Sequence, residues 1–210
     1  MSKPRFKRRK EDRPDEIAEA AFHAFAENGY DATRVDDVAR RAGVSKGLLY
    51  LYFKTKEELL KAVIRRYITP KIEALRSSVE SSNLSAEDFL RGPFLEFAKQ
   101  IPNSPAKILI RLVVSEGHKH PNLVAYYWEN VVSQGLATLT QVIDKGVREG
   151  EFKPTALADF PHLIVSPVML TVIWSIVFPG RGLDTDRMFE THIDMILSAI
   201  KNTNVKASTT

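Results

Sequence analysis

Between Thr33 and Lys56 the chain gathers side chains suited to a phosphate backbone and a base edge: Thr33, Arg34, Ser45, Lys46, Tyr50, Tyr52, Lys54 and Lys56, with Gly47, Leu48 and Leu51 among them. Hydroxyl and ammonium donors, together with the free N–H groups of helix starts, are the chemistry of anion and nucleic-acid binding. Thr33 and Lys46 stand at expected helix starts, and Lys56 in the first turn of another helix. Gly47 lets a helix axis come close to a duplex, Tyr50 brings a flat ring with a hydroxyl, and Lys54 brings a cation. Each type also has a plain use: Thr33 and Ser45 as caps, the tyrosines as half-buried aromatics, the lysines as solvated charges. Several donors on one turn-linked helix pair favour the nucleic-acid use.

The elements that must position these residues are helices. Pro14, Asp15 and Glu16 open a helix over about 14–28, whose apolar residues Ile17, Ala18, Ala21, Phe22, Phe25 and Ala26 recur at helical spacing until Asn28-Gly29. Thr33 followed by Asp36 resembles a capping box for a short second helix that ends at Gly43. Ser45 caps a third helix over 46–52, and Thr55 with Glu58 starts a fourth. Residues 33–53 therefore read as helix, tight turn, helix, the arrangement that lays its second helix in a major groove. Gly43 supplies the residue tolerant of positive φ, and Leu49 and Phe53 form the inner face, opposite Gly47, Tyr50, Leu51 and Lys54.

The run from helix one through GYDATRVDDVARRAGVSKGLLYLYFKTKEELL, about residues 12–70, resembles the DNA-binding domain of TetR-family transcriptional regulators. The resemblance implies a dimeric, all-α regulator, usually a repressor relieved by a small ligand. By position it makes Thr33, Lys46, Tyr50, Tyr52 and Lys56 DNA contacts and brings Gly47 and Leu48 near base edges. Leu51 departs from the polar or aromatic residue often found in the family, so base reading there would be apolar, as against a thymine methyl.

Composition narrows the rest. The 210 residues contain no cysteine, which removes disulfides, thiolate metal sites and thiol nucleophiles, and suits a reducing, cytoplasmic setting for a nucleoid-associated protein. Residues 1–13 carry seven Lys or Arg against two acids and read as a basic arm, either phosphate-seeking or a solvated tail, ahead of a body near neutrality. Phe160–Gly180 has no Asp, Glu, Lys or Arg over 21 residues, the length of a membrane span. Three prolines and several polar residues inside it favour a helix buried on all sides over a span, so no membrane partner is expected.

The predicted organisation is a basic arm over 1–13, a helix-turn-helix domain over 14–60, a helical regulatory and dimerisation domain over 61–203 and a tail over 204–210. That gives an all-α chain of about nine helices, with Pro70 kinking or breaking the fourth and later helices at about 85–100, 104–116, 121–149, 155–178 and 185–201. The last two are expected to pair across a two-fold axis through Val165, Val172, Ile176, Phe189, Ile193, Ile196 and Leu197. An effector pocket is expected among Phe94, Phe97, Leu112, Tyr126, Tyr127, Trp128, Met169 and Trp174, which would suit an apolar or aromatic ligand. His118 and His120, with Glu116 or His162, are spaced too loosely for a metal site, and no cofactor is expected. No phosphate-cradling loop, G-x-S-x-G elbow or H-E-x-x-H pair points to an enzyme. The expected function is a homodimeric repressor on a palindromic DNA operator, released by a small molecule; the alternative is the same fold controlled by a protein partner.

Overall fold

The computed structural model describes residues 13–81 and 83–202, so the expected tail and all of the expected arm except Arg13 lie outside the described residues. Twelve α-helices follow in order: α1 Arg13–Ala32, α2 Val35–Arg41, α3 Lys46–Tyr52, α4 Lys56–Tyr67, α5 Thr69–Ser81, α6 Ala86–Phe89, α7 Leu95–Gln100, α8 Pro105–Glu116, α9 Pro121–Tyr127, α10 Ser133–Arg148, α11 His162–Val177 and α12 Thr185–Ile200. Five-residue π turns, Leu90–Phe94 and Trp128–Val132, join α6 to α7 and α9 to α10. With α4 and α5 also nearly continuous, the described residues form nine helical rods and no strand, the all-α class read from the sequence.

Local chemistry sets most boundaries. In α1 the buried residues Ile17, Ala18, Ala21, Phe22 and Phe25 form the inward stripe, and Gly29, at φ 80°, breaks the helix before one further turn at Tyr30–Ala32. The Ser45, Thr55, Ser85 and Ser104 side chains each accept a hydrogen bond from a backbone N–H in the first turn of the helix that follows. Pro70 breaks the fourth helix outright: α4 ends at Tyr67, and the proline sits in the first turn of α5, where its missing N–H has no intrahelical role. The expected capping box at Thr33 is not formed; Arg34 is the N-cap of α2 and makes no side-chain cap bond.

The uncharged stretch is also shorter in helix than expected. Thr155 caps only a 3₁₀ turn, Ala156–Ala158, and α11 starts at His162 behind Pro161. Among the described residues, no helix is long and apolar enough to cross a membrane. Pro167 lies inside α11 and cannot donate to the Leu163 carbonyl one turn back. That oxygen instead accepts from Ser166 Oγ at 2.9 Å and from His192 Nε2 of α12 at 2.8 Å, so the broken backbone bond becomes a tie between the last two helices.

Candidate nucleic-acid interface

The turn between α2 and α3 is built as its glycine requires. Gly43 takes φ 64°, and the Val44 N–H reaches back to the Ala39 carbonyl at 3.0 Å. Ser45 Oγ then accepts from Leu48 N at 3.1 Å and starts α3. Leu49 and Phe53 are buried in the same core as Phe22, Val38 and Leu60. Burying Leu49 contributes about 1.5–3 kcal/mol and holds the helix by one side only. The other side faces outward: Gly47 and Lys54 are exposed, Tyr50 is 40% exposed and Leu51 69%. An exposed leucine flanked by tyrosine, glycine and lysine makes a narrow apolar ridge rimmed by cationic and hydroxyl donors.

The phosphate-seeking residues divide into two groups. Arg34, Ser45, Lys46 and Lys54 are exposed beside that ridge, with Leu48 half-buried between them. Lys46 Nζ lies 2.7 Å from Asp36 of α2, and this contact raises the lysine pKa above its ordinary value. A phosphate would have to replace Asp36. Sequence reasoning missed that competitor because an i, i+10 pair across a turn has no periodic signature.

Thr33, Lys56 and Tyr52 form the second group, turned toward the protein itself. Thr33 is 2% exposed, and its hydroxyl donates toward the carbonyls of Ala24 and Gly29, closing the broken end of α1. Lys56 Nζ donates to the carbonyls of Tyr30, Asp31 and Thr33 at 2.8, 3.0 and 3.3 Å and lies over the Tyr30 ring. Its three donors are therefore committed to the C-terminal end of α1, where a cation complements the helix dipole. The Tyr52 hydroxyl is enclosed and has no hydrogen-bond partner among the described residues.

The same end of α1 is clamped by α8. Beyond the Gly29 break, the Tyr30 and Asp31 N–H groups have no acceptor one turn back, and the Glu116 carboxylate accepts both, at 3.0 and 2.7 Å. A Cβ on Gly29 would lie 2.9 Å from Glu116 Oε1. Asp31 pairs with Lys119 and His120, whose hydrogen bonds hold its carboxyl at about 2 against an ordinary 3.8. Burial and the charges of Glu57, Asp31 and Glu116 push the Tyr30 phenol up to about 12.

The expected pocket residues are not brought together. Phe94, Leu112 and Tyr127 are core. Phe97 is half-buried, Tyr126 accepts from Arg65 of α4, and the Trp174 indole donates to the Arg181 carbonyl beyond α11. Trp128 and Met169 are exposed. The expected dimer set splits as well: Val172, Phe189, Ile193 and Leu197 are buried inside this chain and cannot meet a second copy, whereas Val165 and Ile196 are half-buried and Ile176 is exposed. The outward apolar residues of α11 are Leu163, Met169, Leu170, Ile173, Ile176 and Val177, joined by Met195 of α12. Among the described residues no three His, Cys, Asp or Glu side chains converge on a metal position, and Glu116 and His120 serve the clamp instead.

Comparison with known proteins bears on what the outward face of α3 does. Residues 17–63 match the sequence profile of bacterial regulatory proteins of the tetR family. The HTH-type transcriptional repressor KstR2 of Mycobacterium tuberculosis is 27% identical over 195 residues, 92% of this chain and 95% of that repressor. The fatty acid metabolism regulator protein of Bacillus subtilis is 24% identical over 188 residues, 89% of this chain and 95% of that protein. The fold is shared with the Bacillus subtilis transcriptional regulator FadR, solved in complex with stearoyl-CoA, at a TM-score of 0.73 and 21% identity, covering 89% of this chain and 98% of that one.

Proposed function

Since the chain is a TetR-family transcriptional regulator, we propose that it acts as a cytoplasmic, nucleoid-associated homodimeric repressor of a palindromic operator. Two copies of α3 enter successive major grooves about 34 Å apart. Gly47, Leu48, Tyr50 and Leu51 lie nearest the base edges, and Arg34, Ser45, Lys46 and Lys54 lie along the phosphates. The observation that carries this reading is the outward face of α3, with Leu51 69% exposed on a helix whose opposite side is fully buried. A solvated leucine on so short a helix gains nothing for the fold, whereas against a thymine methyl it would lose water.

The two copies pair through α11 and α12, which supports placing two reading heads on one duplex. Release follows when a small apolar or aromatic ligand tilts α4, the break at Ile68–Thr69 being where the linkage bends. That FadR is solved with an acyl thioester supports an apolar ligand. Members of this family are regulators and not enzymes, so occupancy of DNA is the output.

Selection of bound fragments from random-sequence DNA by the purified protein tests the reading. Enrichment of an inverted repeat is expected, and failure to enrich any sequence would overturn it. The packed state of Phe94, Leu112 and Tyr127 favours one second reading of the control step, in which a protein partner replaces the small ligand. Release of operator by a small molecule from purified protein alone separates the two.

A further inference from the structure

Lys107 and Arg111 stand one turn apart on α8 and, with Ile108, face Ser175 and Ile176 of α11 across a cleft of about 340 Å³. Like charges at i, i+4 destabilise a helix unless an anion sits between or beside them. Elsewhere in the same bundle cations find carboxylates: Arg91 of the π turn before α7 meets Asp194 of α12, and Lys99 of α7 meets Glu190 of α12. Lys107 and Arg111 meet none among the described residues. Lys107 is half-buried and Arg111 exposed, and both line the cleft beside Ile108 and Ile176, so two like charges stand next to apolar walls without a carboxylate.

The geometry points to a ligand site here for a carboxylate or phosphate carried on an apolar stem. The guanidinium fork and the ammonium group would hold the anionic head, and Ile108 and Ile176 would cover the stem. The cleft volume is at the small end of ligand sites, enough for on the order of ten non-hydrogen atoms. Arg111 Nη2 also donates to the Ala26 carbonyl of α1 at 2.9 Å, three residues before the Gly29 break. An anion held by Arg111 therefore acts on the helix that carries the DNA-reading pair, and this consequence rests on the repressor reading above.

Calorimetry on the full chain with octanoate, octyl phosphate, inorganic phosphate and octanol tests the site. At least one of the two amphiphilic anions should bind, the better of them identifying the head group, with octanol and inorganic phosphate tenfold or more weaker. Lys107→Gln and Arg111→Gln should each weaken that binding at least tenfold while circular dichroism and sedimentation stay unchanged. Equal binding of octanol, equal binding of inorganic phosphate, no anion binding, or unchanged affinity in both variants would overturn the proposal. So would loss of the dimer in Lys107→Gln, which would mean that the cations face a carboxylate of the second copy. Operator selection is measured separately: a chain that selects DNA but binds no anion sinks the cleft alone, and one that binds the anion but selects no DNA sinks the repressor reading alone.

Discussion

At the scale of residues, the proposed DNA-facing set is a competition between internal and external anions. Lys46 is held by Asp36, an exposed pair of modest worth, so exchange for a phosphate costs little. Asp36→Asn should raise operator affinity about threefold, and Lys46→Ala should lower it and reduce the salt slope by about 1, both read by fluorescence anisotropy across salt. Equal affinity in the two variants would show that the lysine does not reach the duplex. Asp31 gives a pH signature. Its folded pKa, about 2, lies below the ordinary 3.8, so the contribution of its contacts to stability is full above the ordinary value and is lost as pH falls from about 4 through 2. Thermal melts over that window should show a steeper acid loss in the wild type than in Asp31→Asn. Ser45, Lys46, Tyr50 and Leu51 were legible because caps and a 100° helical step fix which side each takes. The internal partners of Thr33 and Lys56 were not legible, because carbonyls freed by the Gly29 break are set by tertiary approach and leave no local pattern.

At the scale of elements, the connection between the reading head and the rest runs through the end of α1. The short turn after Gly29 cannot satisfy its own N–H groups, and Glu116, 86 residues away from Tyr30, supplies the acceptors. Glu116→Ala should cost about 1 kcal/mol and lower Tm by roughly 2–4 °C, whereas removal of an exposed, unclamped acid such as Glu149 should leave the melt unchanged. Equal effects of the two would deny the clamp. The order of helices, the caps at Ser45, Thr55 and Ser85 and the break at Pro70 could be read from punctuation, whereas the box expected at Thr33 could not be told from the cap that forms. The two π turns could not, since a one-residue widening changes no residue type. The late start of the uncharged helix was also hidden, because Thr155 offers a cap that serves only a 3₁₀ turn, while Pro161 starts α11 at His162.

At the scale of the whole molecule, α11 is apolar on both sides. Ile164, Val168 and Val172 face this chain's core, and Leu163, Leu170 and Ile173 face outward. Four of the seven expected interface residues are core: on α12 the single apolar stripe of Phe189, Ile193 and Leu197 is taken up by this chain, and on α11 periodicity cannot say which of two apolar sides, that of Val172 or that of Ile176, turns inward. A contiguous outward apolar patch marks an interaction surface, and under the proposed homodimer a second copy would supply the same patch by symmetry. Leu170→Glu or Ile173→Glu should yield monomers in sedimentation equilibrium with unchanged helicity and weak operator binding; dimers in both would move the interface elsewhere. The account depends most on α3 entering a major groove with its outward face. The structure of the complex with a selected operator measures this directly. The account predicts Gly47, Tyr50 and Leu51 against base edges, and Lys46 detached from Asp36 and bound to a phosphate. A complex in which α3 lies outside the groove, with the Lys46–Asp36 pair intact, would contradict it.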